Sequence, residues 1–193
     1  MATSSLHDRL VDAAVRLTTT SGWAKVTMAR LADDVGVSRQ TVYNEIGTKA
    51  DLASAMILRE LDNFLAGVTR SFDENPGDLV AAIRDSARRV LKYAQDNALL
   101  HAVVSATHGA DTELLPLLTT HSESLLEGAK QVVAARVAEY DVSLPPERLE
   151  ASIDMVVRLV LSHIMQPSGE PARTGDDIAW IAGQVLGSTG PSA

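Results

Sequence analysis

A chain of 193 residues, 46% hydrophobic and 22% charged, is a globular protein large enough to bury a core without disulfide or metal staples. It has no cysteine, which excludes disulfide frameworks, thiol nucleophiles and thiolate metal sites. Its longest unbroken apolar runs, Leu79 to Ile83 and Ile178 to Ala182, are five residues, against the roughly 20 that a membrane-spanning helix needs, so no membrane partner is expected. The net charge of −8 argues against general nucleic-acid affinity, but residues 1–50 carry +1 and the remaining 143 carry −9. Exposed charges are screened beyond about 8 Å at physiological salt, so a distant acidic body does not silence a local DNA-binding face. The start, Met1 to Asp8, has neither a basic nor an apolar stretch. No signal peptide is expected, and the expected compartment is the cytoplasm.

Aromatic residues are 4%, no sustained period-2 run is present, and helical periodicity runs throughout. From Ser5 to Ser21, Leu6, Leu10, Ala13, Ala14 and Leu17 share a face, closed by Gly22. Thr27 is placed to cap a helix from Met28 to Val35, with Leu31, Ala32 and Val35 inward and Gly36 ending it. Ser38 is placed to cap a second short helix, Arg39 to about Glu45. Thr48 is placed to cap a long helix with an inner stripe of Leu52, Met56, Leu61, Leu65, Val68 and Phe72. Asn75-Pro76-Gly77 breaks it. Further helices are expected over Asp78–Gln95, Ala98–Thr107, Thr112–Tyr140, Pro146–Met165 and Asp176–Leu186, with linkers at Pro145-Pro146 and from Pro167 to Gly175. The expected fold is all-α, with domains at 1–50 and 51–193 joined by the long helix that starts near Leu52.

Ala32-x-x-x-Gly36 followed by Val42 has the spacing of a helix-turn-helix, although an ordinary αα-corner shares it. The small Ala32 allows close approach, Gly36 supplies the φ > 0 turn, and Val37 and Val42 fill the angle. The outward side chains of the second helix favour DNA. Ser38, Arg39, Gln40, Thr41, Tyr43 and Asn44 are all hydrogen-bonding types. Arginine pairs with guanine, and Gln or Asn with adenine, through two bonds each.

The run Leu10-Val-Asp-Ala-Ala-Val-Arg-Leu17, Gly22-Trp23, Val26-Thr27-Met28, Leu31-Ala32, then Gly36 to Lys49 and Asp51-Leu52, resembles the N-terminal domain of TetR-family transcriptional regulators. Arg39 to Lys49 is similar to a subgroup common in actinobacteria. Ile46 stands where the family usually has Phe, and Asn44 where it often has His. The resemblance implies a two-domain homodimer that binds double-stranded operator DNA and is released by a small-molecule effector. It implies that Thr27 and Ser38 cap helices facing phosphates, and that Tyr43 and Lys49 contact phosphates. Arg39 and Gln40 are the expected base readers, with Thr41 and Asn44 secondary. Residues 1–6 carry no Lys or Arg, so no minor-groove arm is expected.

In the C-terminal part only apolar stripes remain. The family's cavity is expected to be lined here by Phe64, Val68, Phe72, Leu91, Leu100, Val103, Val104, Leu118, His121, Met155 and Leu159. With Phe64, Phe72 and Tyr93 the only nearby aromatics, a fatty acid or fatty-acyl effector fits better than an aromatic cation. Arg88, Arg158, His101, His121 or His163 are the candidates to hold its headgroup. Dimerisation is expected through Ile153, Val157, Val160, Ile164, Ile178, Ile181, Ala182, Val185 and Leu186 of the last two helices. No cofactor and no metal are expected. His101 and His108 share a helical face, but no His-Glu-x-x-His is present. Nucleophile-elbow, P-loop and dinucleotide motifs are also absent, which argues against an enzyme. The competing reading is a helical ligand carrier or adaptor without DNA binding.

Overall fold

The computed structural model describes residues 5–107 and 122–187, and among them every regular element is helical. The helices are α1 (Leu6–Ser21), α2 (Met28–Val35), α3 (Arg39–Ile46), α4 (Lys49–Glu74), α5 (Leu79–Asp96), α6 (Ala98–Thr107), α7 (Ser122–Val137), α8 (Pro146–Met165) and α9 (Pro171–Gly187). A single 3-10 turn, Trp23–Lys25, lies between α1 and α2.

Most helix starts are written in the sequence. Ser5 and Asp8 form a reciprocal capping box on α1, which satisfies N–H groups that the first turn leaves unpaired. Asp78 Oδ1 accepts from the Ala81 N–H at the head of α5. Asn97 Oδ1 accepts from the Leu100 N–H at the head of α6. Two boundaries differ from the sequence expectation. The expected linker 167–175 is helical from Pro171, because proline lacks the N–H that a first turn cannot use. The Thr174 N–H accordingly bonds to the Glu170 carbonyl. Helix α7 ends at Val137 rather than Tyr140, and the chain turns so that the Tyr140 hydroxyl reaches the end of α4. The expected start at Thr112 lies outside the described residues.

Contacts divide the described chain into two units. The first holds residues 5–60, 97–107 and 122–123. Its core is built from Leu10, Ala13 and Ala14 of α1, Leu31 and Ala32 of α2, Val42 and Ile46 of α3, Leu52 and Met56 of α4, and Leu99 of α6, with Trp23 and Val26 from the link. Leu10, Leu31 and Leu52 are fully buried, each worth roughly 1.5–3 kcal/mol relative to exposure. Around this core, arginines tie helices together. Arg9 donates to the Val35 carbonyl at 2.8 Å, where a cation also meets the negative end of α2. Arg16 pairs with Asp34 at 2.7 Å, and Arg59 with Asp12 at 2.6 Å.

The second unit holds residues 61–96 and 124–187 of the described chain. One cluster joins Val68 and Phe72 of α4, Ala82 and Val90 of α5, Val137 of α7, and Ile153 and Val157 of α8. Another joins Ala87 and Leu91 of α5 to Ile178 of α9. The end of α4 is held by polar contacts. The Tyr140 hydroxyl lies 2.9 Å from the Asn75 carbonyl and 3.2 Å from that of Phe72. Arg89 reaches Ser71 Oγ and Glu74, and Arg136 pairs with Asp73.

Candidate nucleic-acid interface

The turn between α2 and α3 is built on Gly36, whose φ of 77° and ψ of 41° lie in the left-handed region that side chains disfavour. Both the Gly36 and Val37 N–H groups bond to the Ala32 carbonyl at 2.9 Å, closing α2. Val42 is fully buried and Val37 packs against the same core. The inner face of α3 is thus spent on Val42 and Ile46, which turns Arg39, Gln40, Tyr43, Asn44 and Glu45 to solvent and leaves Thr41 half-buried.

Thr27 Oγ1 accepts from the Arg30 N–H at 3.2 Å, and Ser38 Oγ from the Thr41 N–H at 3.1 Å. Both residues are exposed, and a helix's first turn leaves N–H groups that favour an anion. The Ser38 and Thr41 hydroxyls lie 2.8 Å apart. Gln40 and Asn44, one turn apart, share an amide hydrogen bond of 2.9 Å. Arg39 and Tyr43 project outward, and Tyr43 is 52% exposed.

Lys49 opens α4 with its ammonium 4.9 Å from the centre of the Trp23 ring, a cation–π contact that sets its position. Trp23 is buried and sits in the turn just before Thr27. Sequence reasoning missed this platform; an aromatic after Gly22 signals core packing first. Thr48 caps α4 reciprocally with Asp51. The Thr48 N–H and hydroxyl both donate to Asp51 Oδ2 at 2.7 Å, and the Asp51 N–H donates to Thr48 Oγ1 at 3.2 Å. Those backbone and side-chain bonds hold the Asp51 carboxyl below its usual range. All eight expected DNA-facing residues therefore lie on α3 or at the heads of α2, α3 and α4.

The expected effector-site residues are divided between the two units, and part of them lies outside the described residues. Val68 and Phe72 are buried together, with Phe64 packed beside them. Leu91 and Leu159 meet in the neighbouring cluster. Leu100 is half-buried in the first unit. Val103 and Val104 lie on α6, while Leu118 and His121 fall outside the described residues. Met155 is 68% exposed and so lines no described interior. The aromatics are engaged with one another. Phe64 and Tyr93 meet edge-to-face at 4.9 Å, and Phe72 meets Tyr140 at 5.8 Å. Among the headgroup candidates, Arg88 pairs with Asp176, Arg158 with Asp154, and His163 Nδ1 lies 3.1 Å from Ser168 Oγ. His101 is exposed, and its partner in the helical pair, His108, lies outside the described residues. An open groove of about 620 Å³ between α5 and α9 is lined by Val80, Arg84, Arg88, Asp176, Ala179, Trp180, Gly183 and Gln184.

The stripe expected to dimerise divides in two. Ile153, Val157, Ile178 and Ala182 are buried within their own unit, because α8 and α9 must each give one face to α5 and its neighbours. The exposed apolar side chains are Met155, Leu161 and Met165 on α8, and Trp180, Ile181 and Val185 on α9.

Comparison with known proteins gives two family matches. Residues 10–56 match the model of bacterial regulatory proteins of the tetR family. Residues 78–184, more than half the chain, match that of the bacterial tetracyclin repressor C-terminal domain. The HTH-type transcriptional regulator AlkX of Mycobacterium tuberculosis is 28% identical over 174 residues, 90% of this chain and 82% of that protein. A crystal structure of the TetR family repressor AlkX from Dietzia sp. strain DQ12-45-1b, implicated in biodegradation of n-alkanes, superposes with a TM-score of 0.74 at 24% identity, covering 95% of this chain and 96% of that one. The fatty acid degradation regulator FadR from Bacillus halodurans superposes with a TM-score of 0.59 at 17% identity, covering 95% and 100%.

Proposed function

The chain belongs to the TetR family of bacterial regulatory proteins, and from that premise we propose that it is a sequence-specific repressor released from its operator by a small hydrophobic effector. The observation that carries the reading is the outward face of α3, where guanidinium, amide and phenol groups stand exposed on a helix capped by Ser38 and fixed by the Gly36 turn. A helix that only met water would more often carry Glu and Lys.

Residues 1–50 serve as the DNA-reading part and 51–193 as the effector and dimer part. Arg39 and Gln40 read base edges, and Thr41 and Asn44 assist. Thr27, Ser38, Tyr43 and Lys49 meet phosphates and set the register. Two copies pair through Met155, Leu161 and Met165 of α8 and Trp180 and Ile181 of α9, whose apolar surface one subunit leaves uncovered. Pairing sets two reading heads about 34–36 Å apart, or a multiple, to meet successive major grooves. Met155 thereby moves from the expected effector site to the subunit interface.

The effector enters the second unit's apolar core, between the cluster of Phe64, Val68 and Phe72 and the neighbouring cluster of Leu91 and Leu159. A fatty acid or fatty-acyl compound suits that lining. The n-alkane connection of the Dietzia repressor and the fatty-acid connection of the Bacillus regulator support the same class. The effector acts by binding the released form more tightly than the DNA-bound form. As a repressor of chromosomal operators the protein works in the cytoplasm.

A gel shift against DNA flanking its own gene, with and without long-chain fatty acid and acyl thioester, tests both parts. A shifted band that acyl ligands dissolve supports the proposal. No shift with any DNA returns the carrier reading. A shift that is indifferent to acyl ligands removes the effector class alone.

A further inference from the structure

On the recognition helix, beyond its capping residue, one side-chain pair serves neither a backbone group nor the core. Gln40 Nε2 donates to Asn44 Oδ1 at 2.9 Å, and both residues are exposed. The other polar side chains of α3 divide differently. Ser38 caps the helix and touches the Thr41 hydroxyl. Arg39 and Tyr43, also one turn apart, are exposed and make no side-chain hydrogen bond or ion pair among the described residues. An exposed amide pair at i, i+4 adds little to helix stability. Its effect is to fix the plane and the facing of one amide.

The donor inventory then decides what Gln40 offers. A glutamine amide has two N–H donors and one carbonyl. When Asn44 takes the N–H anti to the carbonyl, Gln40 presents the syn N–H and the carbonyl side by side. In the major groove adenine presents the complement, an N7 acceptor beside an N6 amino donor. Guanine presents two acceptors, N7 and O6, so the Gln40 carbonyl would face O6. Cytosine offers a donor alone, and thymine an acceptor beside a methyl group. The geometry points to Gln40 as the reader of one adenine per half-site and to Asn44 as the positioning residue that holds it, rather than as a second reader. A glutamine already held in place has less rotamer freedom to lose on contact, which strengthens discrimination at that base pair. The inference rests on the operator-binding reading above.

The test selects bound sequences from random DNA with the full-length protein and the variants Gln40→Ala, Asn44→Ala, Asn44→Asp and the double alanine. Wild type is expected to favour adenine at one position of each half-site by about 10- to 100-fold over other bases. Gln40→Ala abolishes that preference. Asn44→Ala weakens it at the same position and at no other, and the double variant is no worse there than Gln40→Ala alone. Asn44→Asp still accepts from Gln40 Nε2, so it keeps the adenine preference while its new negative charge weakens binding to every sequence. A merely structural role for Asn44 would lower affinity without moving the base preference. Asn44 variants that change a different base pair, additive losses at the Gln40 position, or a Gln40→Ala variant that keeps the preference overturn the assignment. If wild type enriches no sequence, the operator reading fails and takes this assignment with it.

Discussion

Helix α9 crosses α5 closely because position 175 has no side chain. Gly175 is buried, and a Cβ built there lies 3.1 Å from the Arg88 backbone nitrogen and 3.3 Å from the Arg84 carbonyl oxygen, and collides with the Arg88 side chain. The side chain can swing aside; the two backbone atoms move only with α5. Replacing glycine by alanine in a helix interior ordinarily stabilises by about 0.5–1 kcal/mol. Overpacking a closed contact costs about 1–3 kcal/mol. It acts here by lifting Ile178, Ala179 and Ala182, all buried on the same face. Gly175→Ala is therefore expected to destabilise by about 1–2 kcal/mol despite its better helix propensity. Gly128 in α7 is the control, since a Cβ there meets nothing within 4 Å. The same substitution there is expected to stabilise by up to about 1 kcal/mol. Urea unfolding at one fixed protomer concentration reads both, because dimer formation makes stability concentration-dependent. In thermal melts the two variants should part on either side of wild type, by about 2–4 °C per kcal/mol. A Gly175→Ala variant as stable as Gly128→Ala would show that α5 and α9 do not meet backbone to side chain.

Three further outcomes follow from other contacts. Arg39→Ala is expected to lose about 1–3 kcal/mol of operator affinity and relax one base position, whereas Lys49→Ala weakens all sequences alike and flattens the salt dependence by about one unit of slope. Binding to operator and scrambled DNA at several salt concentrations separates them, and equal behaviour refutes the division of roles. Burial pushes the Tyr140 phenol above its ordinary value. Because the folded chain holds that proton more tightly, its contribution to stability is full below pH of about 10 and is lost as pH rises through the raised value. Tyr140→Phe should cost about 1 kcal/mol at neutral pH through the lost hydroxyl bond and show a shallower alkaline decline in unfolding experiments. Thr48→Ala keeps the backbone N–H bond and loses the hydroxyl bond, so it should return the Asp51 carboxyl only part of the way toward its ordinary value in an NMR titration. In wild type the lowered carboxyl favours folding at neutral pH, and that contribution disappears only as pH falls through the lowered value.

The head was the more legible part, because its elements are set by local chemistry. Thr27, Ser38 and Thr48 sit where a hydroxyl reaches an N–H two or three residues on, and Gly36 sits where the turn needs a left-handed residue. Such rules act over four or five residues and depend little on contacts far along the chain. The second unit was less legible because its stripes are apolar on more than one side. Ile153 and Met155 lie two residues apart on α8; one is buried and the other mostly exposed. Periodicity alone does not say which stripe meets the subunit's own core. Pro171 and Gly175 look like linker punctuation, yet one begins α9 and the other lets it touch α5. The Trp23 seat for Lys49 and the Tyr140 bonds to α4 join residues 26 and 65 or more positions apart, and no local pattern announces them.

Arg9, Arg16, Arg30 and Arg59 are each bonded to an oxygen of the protein itself, so most of the head's guanidinium groups are occupied within it. Fewer of its cations remain to displace the ion atmosphere of an arbitrary duplex. If the head reads an operator as proposed, it is expected to grip random chromosome loosely and to lose little of its population to the millions of wrong addresses that surround the right one.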